Sequence, residues 1–257
     1  MISIVMNKSS LLLSLILFGL VSNAQKHTSF FVEAKGGLSF PVGGFANKNF
    51  TGAFLTNADG LAKTGLAAGA TGGYQFKKSI AAILSFAYSH NKQDENSFDT
   101  YLKNSLGSNT TTNINTNAWN IFKIMVGGQF NTSFDAASKL SFRGSLQGGV
   151  CKTTIPEYNY GYSIGSGINQ RVGSASFSKI NLRWAFCYNV SAGIKYKLKQ
   201  KFYLLSECSY FNSTPVYKFS YSQVIYNNGN ISTNVINVEK KVSLSSILIQ
   251  AGVGFEL

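Results

Sequence analysis

The stretch Ser243 to Leu257, SLSSILIQAGVGFEL, decides the fold. One parity is apolar: Ile247, Ile249, Ala251, Val253, Phe255 and Leu257. The other is polar or small: Ser246, Gln250, Gly252, Gly254 and Glu256, with Leu248 the exception. A period of two with one apolar face is the pattern of a β-strand. A long strand that turns Phe and Leu outward at the end of the chain suits a transmembrane barrel. There the closing strand pairs with the first and presents apolar residues to lipid.

Seven further segments repeat the alternation. Thr28 to Phe40 sets Phe30, Val32, Ala34, Leu38 and Phe40 against Glu33, Lys35, Gly37 and Ser39. Lys63–Phe76, Ser79–Asn91, Ala118–Phe130 and Lys139–Lys152 behave alike, with Leu84, Phe86, Phe122, Val126, Phe142 and Leu146 on the outward parity. The longest run is Ile180 to Leu198, which reads as one unbroken strand. The segment from Lys201 turns Phe202, Leu204, Cys208 and Tyr210 outward and Glu207 and Ser209 inward, although Tyr203, Leu205 and Phe211 spoil its inner face. The expectation is an all-β, eight-stranded antiparallel up-and-down transmembrane barrel. Its connections alternate long and short, as outer-membrane barrels do with extracellular loops and periplasmic turns.

The long connections read as extended hairpins. Asn228-Gly229 is a strong two-residue turn signal. Centring the last hairpin there pairs Phe202 with Phe255, Leu204 with Val253, Cys208 with Ile249 and Tyr210 with Ile247, with Pro215 expected at a bulge. Folding the previous hairpin about Ser166 pairs Val150 with Leu182, Leu146 with Phe186 and Phe142 with Val190. That register holds Cys151 and Cys187 six positions apart, ~20 Å along the sheet, so no disulfide is expected. In ENSFDTYLKNSLG, residues Phe98, Tyr101, Leu102 and Leu106 have helical spacing, and Gly107 suits a C-cap. The Asn/Thr tract 109–117 reads as a flexible loop.

Composition agrees with a lipid-facing β protein. Of 257 residues, 44% are hydrophobic, 14% aromatic and only 13% charged. Residues 1–24 read as a secretory signal peptide. Lys8 supplies the positive n-region, Leu11–Val21 an apolar core too short to span, and Ser22-Asn23-Ala24 the cleavage site. Residues 25–257 then form one barrel domain. Removing Lys8 lowers the net charge from +13 to +12. An exported chain with dispersed lysines at predicted turns is not expected to meet nucleic acid. Three cysteines give no even framework, and buried free thiols are expected.

Parity also assigns candidate sites. Glu33, Lys35, Lys123, Arg143, Arg183, Lys195, Glu207 and Glu256 face the lumen as a charge network, read as an internal salt-bridge plug in preference to an ion path. Phe30, Phe76, Phe130, Phe142, Tyr196, Phe202 and Phe255 form an outward ring at the short-connection end, as at a membrane interface. Loop aromatics such as Phe45, Phe50, Phe54, Tyr158, Tyr160, Tyr162, Tyr217, Phe219, Tyr221 and Tyr226 pack on one another or meet a protein partner. Catalytic candidates are thin. His27 precedes the first strand, and a rim set of Ser89, His90, Asp94 and Glu95 is the best available, yet Ser89 and His90 point to opposite faces. Neither a metal-ligand cluster nor a phosphate-binding glycine loop is expected, and no cofactor.

Four stretches carry a family resemblance: Asn23-Ala24-Gln25, VEAKGGLSFPVG (32–43), NVSAGIKYKLKQKFYLLSECSYF (189–211) and ILIQAGVGFEL (247–257). Together they resemble the outer membrane β-barrel domain family, which groups OmpA/OmpX-like and PorT-like small barrels. The resemblance implies a Gram-negative outer-membrane location, lipid contact and insertion by the barrel-assembly machinery. The leading expectation is a non-enzymatic structural or adhesive role, with the long loops displayed outside. PorT-like members imply an alternative as an accessory to secretion or transport. A rim enzyme acting on lipid is a third reading.

Overall fold

The computed structural model describes residues 29–48, 60–107, 109–134, 139–165, 171–177, 180–181, 184–199, 201–227 and 230–257. The leader and its cleavage site, His27, Phe50, Phe54, Arg183 and the Asn228-Gly229 turn lie outside them. The strands are β1 (Ser29–Val42), β2 (Gly65–Lys77), β3 (Ile80–Lys92), β4 (Thr110–Thr116), β5 (Ala118–Ser133), β6 (Leu140–Ile155) and β7 (Tyr158–Ile164). They continue as β8 (Arg171–Phe177), β9 (Ile180–Asn181), β10 (Ala185–Lys197), β11 (Phe202–Ser213), β12 (Val216–Asn227), β13 (Asn230–Lys241) and β14 (Leu244–Glu256). Among the described residues one α-helix, α1 (Glu95–Leu106), lies between β3 and β4.

Eight of these strands close a barrel in the order β1-β2-β3-β5-β6-β10-β11-β14, all neighbours antiparallel, with β14 pairing back to β1. Closure follows from the alternation. Each strand has one face suited to lipid, and only a ring leaves no backbone edge unpaired. The outward parity holds throughout: Leu66, Leu84, Phe86, Phe122, Val126, Leu146, Phe186, Val190 and Ile249 are exposed. Inward glycines permit the tight curvature. At Gly127 a Cβ would fall 2.0 Å from the Leu146 carbonyl oxygen of the neighbouring strand.

The last hairpin has the expected register: Phe202↔Phe255, Leu204↔Val253, Cys208↔Ile249 and Tyr210↔Ile247. The bulge expected at Pro215 is absent. β12 and β13 continue the same frame from Val216↔Lys241 to Asn227↔Asn230. Pro215 sits between β11 and β12 and accepts from the Val242 N–H at 3.0 Å. The missing proline donor is thus absorbed by a gap in the ladder, with no extra residue.

The preceding hairpin differs from expectation. Val150 pairs with Phe186, Leu146 with Val190 and Phe142 with Ile194, four residues from the predicted frame. Beyond the barrel Thr154 pairs with Asn181, so the stretch between β9 and β10 carries one extra residue against β6. The run Ile180–Leu198 is therefore interrupted, not a single strand. A shift of four is even, so the faces survive it. The shift also brings Cys187 to within two ladder positions of Cys151, not six.

Above the long-connection end stands a second sheet, in the order β13-β12-β8-β7-β4. The tract read as a flexible loop contributes β4, with Asn115 paired to Asn159 and Thr112 to Tyr162. Threonine favours the pleated backbone once a partner strand is present. α1 docks on β4: Thr116 Oγ1 donates to Glu95 at 2.9 Å, and Thr112 donates to Asp99. Gly107 closes α1 at φ 109°, a left-handed conformation suited to glycine.

Candidate functional site: the filled lumen

The lumen has two halves. Toward the long connections an apolar cluster fills it: Phe45, Trp119, Ile121, Met125, Phe211, Leu244 and Leu248 pack together with both inward cysteines. Phe45 belongs to a short 3-10 turn after β1 and lies edge-on to Trp119, with ring centroids 5.6 Å apart. Trp119 Nε1 donates to the Gly60 carbonyl at 2.8 Å, so the polar edge of the indole is satisfied.

Toward the short turns the lumen is charged. Arg143 donates to Glu33 through both terminal nitrogens, at 2.7 and 3.0 Å, and to Gln129 Oε1 at 2.8 Å. It also lies 3.5 Å from Glu207. Lys35 pairs with Glu207 at 2.7 Å. Tyr203 OH donates to Glu33 at 2.8 Å. Nearer the rim, Lys195 pairs with Glu256 at 2.5 Å and Lys197 approaches the same carboxylate at 3.6 Å. Lys195 also lies over the Tyr203 ring, 3.8 Å from its centroid.

Of the eight residues chosen by parity, six therefore join two linked clusters: Glu33, Lys35, Arg143 and Glu207 in the interior, Lys195 and Glu256 at the rim. Arg183 lies outside the described residues. Lys123 stands apart. It is 1% exposed, sits 4.1 Å over the Phe211 ring, and has no carboxylate within ion-pair distance among the described residues. Sequence reading missed Tyr203 and Gln129 as partners. Tyr203 looked misplaced because its neighbours share its apolar character. It faces inward over Gly254, directly opposite in the ladder, where a Cβ would lie 2.1 Å from the ring. A cross-strand Gly–aromatic pair was the available signal.

The outward aromatics gather at the short-turn end. Phe202 and Phe255 pack at 4.8 Å between centroids, Phe30 and Tyr74 at 4.9 Å, and Tyr74 and Phe76 at 5.8 Å. Phe130, Phe142 and Tyr196 are exposed on the same side. Among the loop aromatics, Tyr160 is buried edge-on against Phe98, with centroids 5.6 Å apart.

The rim set does not assemble. Ser89 is buried inside, whereas His90 Nδ1 lies 2.9 Å from Asn120 Oδ1 on the other face. Asp94 is engaged by Lys48 at 2.5 Å and Lys63 at 3.1 Å. Burial by itself would raise the Asp94 carboxyl, but these two ammonium groups and Ser97 outweigh it and hold it well below the usual carboxylate range. Glu95 accepts from Thr116. Among the described residues, no group of three or more His, Cys, Asp and Glu side chains is placed to hold a metal.

The chain is a closed eight-stranded β-barrel with an apolar exterior and a filled lumen. No family model matches it, and no curated protein does. Among solved structures it is similar to Neisserial surface protein A, at 13% identity and TM-score 0.44, covering 90% of this chain and 100% of that one. It is also similar to the outer membrane protein OprG from Pseudomonas aeruginosa, at 12% identity and TM-score 0.44, covering 91% and 98%. A major outer membrane protein from Thermus thermophilus follows at 9% identity and TM-score 0.40, covering 90% and 100%. These likenesses concern the barrel fold.

Proposed function

We propose that this protein is an integral outer-membrane barrel, non-enzymatic, whose closed barrel anchors a recognition surface outside the cell. The observation that carries the reading is the division of the chain. The barrel is packed shut by Phe45, Trp119 and their neighbours, while a five-stranded sheet and α1 stand beyond its long-connection end. A plugged lumen suits an anchor, and a protruding sheet suits adhesion or partner binding. The exposed apolar belt suits lipid, and the aromatic ring at the short-turn end suits the periplasmic interface. In this reading residues 1–24 are removed after Ala24, and the barrel-assembly machinery inserts the mature chain.

Protease treatment of intact cells tests the display. Cleavage is expected within 156–184 or 214–243 while a heat-modifiable barrel remains in the membrane. In planar bilayers the purified protein is expected to give no large steady openings; such openings would overturn the plug. Co-purification of a stable secretion complex from native membranes would instead favour the accessory role.

A further inference from the structure

The corrected register places three sulfur side chains around one glycine. Gly149 of β6 faces Met125 of β5 on one side and Cys187 of β10 on the other. Cys151 lies two residues along β6, opposite Lys123 of β5. Met125, Cys151 and Cys187 are all buried and belong to the same packed cluster. Cys151 donates to Ser213 Oγ at 3.2 Å. Both cysteines are free. They are diagonal ladder neighbours, a relation that separates Cα atoms by ~7–8 Å. Disulfides want less than about 7 Å, so the ladder sets the two side chains beside each other on the inward face without favouring an S–S bond.

Lys123 supplies a second, independent observation. It is a fully buried ammonium with no carboxylate partner among the described residues, beside Cys151 in the ladder. It lines, with Met125, Gln147 and Asn189, a lumen cavity of about 20 Å³. A buried charge is costly unless something balances it.

We propose that Cys151, Cys187 and Met125 form a site for one soft monovalent d10 cation, of the Cu(I) or Ag(I) class, with Lys123 as its charge-balancing neighbour. The donor set selects the ion. Two thiolates and a thioether favour a soft metal, whereas hard cations want carboxylates and carbonyls. Structural zinc wants four ligands. Binding is written M⁺ + 2 R–SH → [M(SR)₂]⁻ + 2 H⁺, with both protons released to solvent and no change of oxidation state. The resulting complex carries one negative charge, and the Lys123 ammonium brings the group to neutrality.

The test uses the full mature chain folded in detergent with Cys208→Ala, which removes the exposed thiol. Ag(I) is titrated against a competing thiol chelator and counted by native mass spectrometry. One ion per chain is expected, with two protons released. Cys187→Ser should weaken binding at least 100-fold, and Lys123→Met and Met125→Leu about 10-fold each. Heat-modifiability confirms that each variant is folded. Should a serine variant not fold, X-ray absorption of the Ag(I)-loaded parent decides, with a shell of two or three sulfurs expected. Binding that survives Cys151→Ser/Cys187→Ser would overturn the site, as would an oxygen or nitrogen shell. An intact mass two daltons low before any metal, the sign of a disulfide, would also overturn it.

Discussion

Arg143 is the residue on which the charged half of the lumen depends. Its guanidinium takes both oxygens of Glu33, then Gln129, and lies near Glu207. All these groups are buried. Such a pair adds little over an apolar filling, but breaking it leaves charges stranded. Arg143→Met is therefore expected to destabilise the barrel by about 3–5 kcal/mol, read from urea unfolding in lipid vesicles. Adding Glu33→Gln should recover part of that loss, because it removes one stranded charge; a strictly additive double mutant would deny the coupling. Arg143→Lys is not expected to substitute, since an ammonium cannot engage both carboxylate oxygens in the same fork. Gly254→Val tests the adjoining aromatic. Its side chain would occupy the space of the Tyr203 ring, so the Tyr203–Glu33 hydrogen bond should be lost and stability should fall by about 1–3 kcal/mol.

At the scale of elements, α1 is held at its start by Asp94, which accepts from Ser97 and binds Lys48 and Lys63. Removing this cap in Asp94→Ala should cost about 0.5–2 kcal/mol of helix stability. The Asp94 carboxyl is depressed in the folded protein. Its stabilisation is then complete above the ordinary aspartate value of ~4 and is lost only as pH falls through the lower folded value. Hydrogen exchange across 95–106, corrected for intrinsic rates, should stay flat from pH 8 to 5 and rise only in stronger acid. Loss of protection near pH 6 would contradict the assignment. The helix itself was legible, because Phe98, Tyr101 and Leu102 share a face and Gly107 follows. The strand after it was not, because Thr110–Thr116 is a strand only through its pairing with Tyr158–Ile164. Parity placed Glu33, Arg143 and Glu207 inside, since a two-residue period leaves no other face. It could not say which of them meet across the lumen, because that depends on barrel closure. The last hairpin was readable to the residue, since its arms carry no net insertion. The hairpin before it was not, because its β7–β8 ladder, from Tyr158↔Phe177 to Ile164↔Arg171, folds three positions away from a Ser166-centred frame, and the stretch between β9 and β10 adds a fourth. That slip hid the approach of Cys151 to Cys187.

At the scale of the molecule, two apolar surfaces of different meaning share one chain. The barrel wall exposes Val126 at 60%, and the second sheet exposes Ile231 at 64%. Exposure alone does not separate them, but position does. Val126 lies midway along β5, on the wall facing away from the packed lumen, and Ile231 lies on β13, beyond the barrel rim. If the wall meets hydrocarbon, a cation at Val126 must leave water to fold, and the cost at a bilayer midplane is about 2–4 kcal/mol. A cation at Ile231 remains in water, where surface substitutions change stability by about 0.5 kcal/mol or less. Val126→Arg and Ile231→Arg should therefore diverge in vesicle unfolding although the two sites are equally open in the isolated chain. Thinner bilayers should narrow the gap, since they bring position 126 closer to water. Equal effects at the two sites would place the barrel wall in water and remove the membrane reading altogether.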